Sequence, residues 1–419
     1  MLIMSVAKEQ QRMKRMIVAV VLGFAALLSG CVVKETRPLT KLEAVQAKVQ
    51  IPEAELLNVA LRHFDPGVPA NLVNDEEALD KRRIYPDVRS AESRLLPMRL
   101  RTTLETSGQW GAVRAVPEAV QFVDVIVTGR IVESTGSRLE LAITATDASG
   151  RIWIKDRVYS SDADLGAYKT DASLRARDPF QNVYSQIAND LVTARDELTA
   201  VEKRELRHIA QLRFAQDLDP RSFDGYLQKS ADGSYRLTRL PATDDPAVVR
   251  ITKIRERDAA VIDTLDGYTQ EFSDQLFDPY GSFRRTSREA IEREDKARTQ
   301  AMTRTALGAA AVLGSIFAGS NCASTDYNCR RIDSAVRTAG AVGGVAAVMS
   351  GIQKFSDAKV AAQEVKELAT SFSSEAAAQT IEVEGRTLKL AGTAEEQYRE
   401  WRRLLAAIYR EENLPAPNP

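Results

Sequence analysis

Histidine and cysteine are scarce in this 419-residue chain, with two of the first and three of the second. A metal centre built from such side chains wants about four ligands. His63 and His208 stand far in sequence from each other and from Cys31, Cys322 and Cys329, so no metal and no cofactor is expected. Net charge is lacking too, with 57 Lys and Arg against 58 Asp and Glu. A nearly neutral chain has no broad basic excess for holding nucleic acid. No apolar run reaches the ~20 residues of a spanning helix. Also missing are G-x-S-x-G, H-E-x-x-H, P-loop and Rossmann fingerprints. The carboxylates, including Asp244-Asp245, sit at cap and surface positions. His208, beside Ile209, reads as a surface or core-edge histidine. No catalytic residue stands out, and an enzyme is not expected.

What the chain does have begins at its start. Lys8, Arg12, Lys14 and Arg15 precede an uncharged run, Met16 to Leu28. A basic stretch followed by a short apolar one is the layout of a secretory signal, with Met13 as an alternative start. The run ends at Leu28-Ser29-Gly30-Cys31, which resembles a bacterial lipobox. The resemblance implies that the Cys31 sulfur receives a diacylglyceryl group and that cleavage frees its amine for acylation. Several acyl chains together anchor firmly. Val32 after the cysteine, by the sorting behaviour of such lipoproteins, implies the periplasmic face of the outer membrane.

Without residues 1–30 the net charge moves from −1 to −4, because four basic residues and one acid leave. The remaining length suggests two or three domains. With Cys31 lipidated, Cys322 and Cys329 remain in "NCASTDYNC". In an oxidising compartment that spacing reads as a local disulfide that pins a turn.

The pattern predicts a tether over 31–50 and a small α/β domain over 51–165. "LLNVALRHF" reads as a strand stopped by Asp65-Pro66-Gly67. Val68 to Pro86 reads as a long loop. Pro97 suits the first turn of a helix that ends at Ser107-Gly108. "WGAVRAVP", "VDVIVTGRIVES", "RLELAITATDASG" and "RIWIKDRVYS" read as four more strands. The segments Asp124-Val125-Ile126-Val127-Thr128-Gly129 and Asp147-Ala148-Ser149-Gly150-Arg151-Ile152-Trp153 resemble the small α/β domain at the amino terminus of TolB. Related modules occur in the curli-export lipoprotein CsgG and in lipoproteins that activate penicillin-binding proteins. The matching residues are mostly turn and core residues, and the likeness covers about a quarter of the chain. It implies a periplasmic adaptor domain that binds protein partners, with no catalytic residues. The chain has none of TolB's later repeats and no long alternating strands for a CsgG-type barrel.

Residues 178–300 read as a helical region. One helix starts at Asp178-Pro179, a second runs from about Ala200 to Asp217, and "PRSFDGYLQK" suggests a short third. A long helix begins at Asp245-Pro246 and breaks at Pro279-Tyr280-Gly281. Residues 301–372 are rich in Gly and Ala. Ala306, Ala310, Gly314 and Ala318 recur every four residues, as do Ala339, Gly343, Ala347 and Gly351. Such stripes let helices approach closely, so an antiparallel hairpin stapled at Cys322–Cys329 is expected. Either it packs as a soluble or oligomeric hairpin, or it contacts a membrane; Arg330, Arg331, Asp333 and Arg337 at the tip weigh against crossing. Residues 373–419 read as a β-hairpin around Glu384-Gly385 and a terminal helix opened by a capping box at Thr393.

The fold class is α+β: a small mixed-sheet domain, a mainly helical region with a glycine-rich hairpin, then a carboxy-terminal β-hairpin and helix. The expected function is a structural or adaptor lipoprotein of an envelope assembly, with unidentified envelope proteins as partners. The alternative is an oligomeric membrane-active or export component that uses the glycine-rich hairpin.

Overall fold

The computed structural model describes residues 39–299 apart from 243, 290, 294 and 298, together with 380–383, 386–389 and 394–412. The strands are β1 (Val59–Arg62), β2 (Val113–Val116), β3 (Val125–Ser134), β4 (Arg138–Asp147), β5 (Ile152–Asp162), β6 (Leu227–Lys229), β7 (Tyr235–Leu237), β8 (Thr380–Val383) and β9 (Arg386–Lys389). Among the described residues the helices are α1 (Glu76–Lys81), α2 (Pro86–Thr106), α3 (Asp171–Ala176), α4 (Gln181–Asp196), α5 (Ala200–Leu218), α6 (Pro246–Gln275), α7 (from 277, with helical residues described as far as 299) and α8 (Ala394–Glu412). The fold is α+β, as the sequence indicates.

Five strands form a mixed sheet in the order β2-β1-β3-β4-β5. β1 runs parallel to both neighbours, with Val59 opposite Val113 and Val125, while β3, β4 and β5 meander antiparallel. Side chains alternate across a strand, and β1 is buried on both faces. Val59 and Leu61 join the main core, formed with Leu96, Leu100 and Leu104 of α2 and Phe180, Tyr184 and Ile187 around α4. Ala60 points the other way, towards Val116, Val120, Ile262 and Leu265. Thus α2 and α4 cover one face, and α6 with α8 covers the β2–β1 end of the other. The boundary expected between 165 and 178 falls inside a single hydrophobic core, because α4 packs on the same sheet.

Several predicted elements move. Val68 to Pro86 holds α1, whose Asp75 cap accepts from Ala78 N–H, and Pro86 opens α2. Pro97 therefore lies inside α2 rather than at its start. "PRSFDGYLQK" forms turns leading into β6, which pairs with β7. The long helix ends at Leu276 and restarts, so Pro279 lies in the first turn of α7, where a missing N–H is tolerated. The β8–β9 pairing, Val383 opposite Arg386, fits the expected carboxy-terminal hairpin.

The stretch expected to be a tether to Gln50 is docked from Thr40. Asn182 of α4 accepts from Leu42 N–H at 2.9 Å and donates to the Thr40 carbonyl at 2.8 Å. One helical repeat on, Asn189 accepts from Val45 N–H at 2.8 Å and donates to the Glu43 carbonyl at 3.1 Å. Each carboxamide thus offers a donor and an acceptor to the extended chain, as a neighbouring strand would. Ala44 between them is buried.

The segments around Gly129 and Asp147 have plain physical work. A Cβ on Gly129 would lie 2.6 Å from the Phe64 ring, so that position has room only for glycine. Asp147 accepts from Ser149 N–H at 2.9 Å, Arg151 N–H at 3.1 Å and Trp153 Nε1–H at 2.8 Å. The carboxylate staples the β4–β5 turn, and Gly150, with φ +91°, supplies its left-handed residue.

Candidate functional site

A cleft of about 420 Å³ opens where β1 and β3 begin. Two helices wall it. From α5 come Arg204, Arg207, His208 and Gln211; from α6 come Thr252, Arg255, Glu256 and Ala259. Both sets follow the spacing i, i+3, i+4, i+7, which puts each on one helical face. The opposite face of α5 buries Leu206, Ile209 and Leu212. Ala54, Asn58 and Asp124 complete the lining.

Asp124 sits just before β3 and is 1% exposed. Its Oδ2 accepts from the Asn58 N–H at 2.8 Å. Burial pushes its carboxyl pKa up, against the pull of that hydrogen bond and of Arg255 and Arg207. Burial also lowers the pKa of His208, and the Arg207 charge lowers it further. Both favour the uncharged imidazole, against the pull of Glu205. Burial lowers Arg255 from its ordinary value, yet a guanidinium keeps its charge in proteins.

Each arginine is held differently. Arg204 pairs with Glu55 at 3.3 Å. Arg207 donates to the Glu53 carbonyl. Arg255 donates to the Phe122 carbonyl at a long 3.5 Å. The cleft thus joins three cations, an imidazole and the carboxyl groups of Asp124 and Glu256, and perturbed titratable groups gathered in a cleft mark a candidate site.

Most residues singled out in the sequence lie elsewhere. Leu28, Ser29, Gly30, Cys31, Cys322 and Cys329 fall outside the described residues. So do the packing stripes, Ala306 to Ala318 and Ala339 to Gly351. Of the cleft residues, the sequence singles out His208, as a surface or core-edge histidine, and Asp124, at the start of a TolB-like segment; His208 is partly buried in the α5 wall and Asp124 is fully buried. The missed signal was the matched polar spacing on two helices.

Among the described residues, no helix is long and apolar enough to cross a membrane, and no group of three or more His, Cys, Asp or Glu could hold a metal ion. Compared with known protein families, curated proteins and solved structures, the chain matches none.

Proposed function

We propose that this chain is a lipid-anchored protein on the periplasmic face of the outer membrane, acting as a structural or adaptor component of an envelope assembly. The anchor is Cys31, and the sheet domain is the partner-binding body. The observation that carries the reading is the basic stretch, short apolar run and Leu28-Ser29-Gly30-Cys31 near the start of the chain. Residues 40–45 are held on the body by Asn182 and Asn189. Nine residue steps separate Cys31 from Thr40, about 30 Å when fully extended. That reach keeps an adaptor near its membrane. The scaffold's order, strand, helix, strand and three-stranded meander, is the one predicted by the sequence pattern.

The test has two parts. Mass spectrometry of the mature protein reads its first residue, expected to be Cys31 carrying acyl chains. Photo-crosslinking residues introduced singly across the body are expected to join it to a discrete envelope protein in living cells. An unmodified chain beginning elsewhere than Cys31, or a body that crosslinks to nothing, contradicts the reading.

A further inference from the structure

We propose that the cleft between α5 and α6 is an oxyanion-binding site, in which Arg207 and Arg255 grip a carboxylate or phosphate group from its two walls. Four observations carry this, and none depends on the lipid anchor.

The first is convergence. Arg207 and Arg255 come from helices far apart in sequence, yet both line one cleft. They sit close enough for each charge to bear on Asp124, and for Arg207 to bear on Arg255. Like charges brought together in a partly dry place repel unless an anion lies between them.

The second is vacant hydrogen-bonding capacity. A guanidinium has five N–H donors in a planar fork. Arg207 and Arg255 each engage a neutral backbone carbonyl, and that of Arg255 is 3.5 Å away. Among the described residues, neither has a carboxylate within 4 Å. Arg204, by contrast, has Glu55.

The third is the weakness of the internal counter-charge. Asp124 is the buried carboxyl beside both cations, and one of its oxygens already accepts from Asn58. Burial disfavours its ionised form. Asp258 also bears on Arg255, but burial disfavours its ionised form as well, and among the described residues Glu256 on the cleft lining forms no ion pair with either arginine.

The fourth is size. A cleft of about 420 Å³ lies within the range of small-ligand pockets, roughly 300–1,000 Å³. It has room for an oxyanion and a modest body attached to it. The fork geometry of arginine suits two-point contact with a carboxylate or phosphate. His208 and Gln211 can contact the rest of the ligand.

The experiment uses the full chain purified in a non-ionic detergent. Inorganic phosphate and citrate are titrated separately by calorimetry, at an ionic strength held constant with sodium chloride. Binding of at least one, with a dissociation constant of about 1 mM or below, is expected. A phosphate response assigns the site to phosphate-bearing ligands and a citrate response to carboxylates. Arg207→Met and Arg255→Met are each expected to weaken binding about tenfold or more. Arg255→Lys, which keeps the charge but loses the fork, should weaken it by less. Lys155→Met, on β5, should leave it unchanged. Circular dichroism checks that each variant is folded, and Arg207→Met stands in if Arg255→Met is not. The proposal is overturned if neither anion binds above the chloride background, or if a folded Arg207→Met or Arg255→Met binds as tightly as the parent.

Discussion

The backbone N–H of Phe64 donates to the carbonyl of Ser93 at 2.8 Å, joining the end of β1 to the middle of α2. That carbonyl is free because Pro97, four residues on, has no N–H to give it. A residue that ordinarily breaks a helix here supplies an acceptor to the neighbouring strand. The same Phe64 sets its ring against Gly129 of β3, so one residue locks helix to sheet by its backbone and by its side chain.

Gly129→Ala should therefore lower stability by about 1–3 kcal/mol, the range for overpacking a core. Urea unfolding measures it. Phe64→Leu in the same chain should make the second change less than additive, because the two sites share the clash. Full additivity would show that the ring does not limit position 129.

Asp147→Ala leaves two backbone N–H groups and the Trp153 indole N–H without their acceptor. A loss of about 3 kcal/mol is expected, since bonds to a charged group are among the stronger ones. Asp147→Asn, which keeps an acceptor oxygen, should lose less. Trp153 fluorescence should shift with the first variant before global unfolding.

His63 gives the pH dependence a definite sign. Its pKa is lowered to about 4, first by burial and then by Arg94, and its Nε2 is closed from solvent with no hydrogen-bond partner. Between pH 6.5 and 4 the unfolded chain takes up a proton that the folded chain refuses. Stability from this group is complete above pH 6.5 and is lost as pH falls through that window, by about 3 kcal/mol at most. The stability difference between the parent and His63→Gln should change by that amount from pH 7 to 4. Parallel profiles would remove His63 as the source.

Asn182→Ala combined with Asn189→Ala should release residues 40–47 while the sheet stays folded. Each clamp contributes about 1–2 kcal/mol. Trypsin should then cut at Lys41 and Lys48 much faster, and amide exchange at Leu42 and Val45 should rise with no change at Val127. Unchanged cutting would show that the other contacts of the segment hold it without the asparagines: buried Ala44, the bond from Ala47 N–H to the Ser107 carbonyl, Arg177 on Glu43 and the Leu42 carbonyl, and Gln109 on the Val45 carbonyl.

The meander was legible because its strands alternate cleanly and its turns carry Gly and Asp. Helix α2 was half hidden, because it is buried on more than one side. Val88, Ala91 and Leu95 meet α6 and α7, while Leu96, Leu100 and Leu104 meet the sheet. No single apolar stripe marks such a helix. The usual local effect of proline places Pro97 at a helix start and Pro279 at a break, whereas packing puts Pro97 inside α2 and Pro279 in the first turn of α7. The tether missed its docking because Asn182 and Asn189 look like ordinary surface residues of an amphipathic helix. The arginine cleft was illegible for a different reason. Arg207 and Arg255 become neighbours only when α5 and α6 close over the start of β1 and β3.

The central claim is that the lipid on Cys31 is what holds this protein to its membrane. Replacing residues 1–31 with an ordinary cleavable secretory signal, then fractionating the cells, tests it most directly. The account predicts a protein that moves wholly into the soluble periplasmic fraction. A protein that stays with the membranes after alkaline washing would contradict it and would favour insertion of the glycine-rich segment.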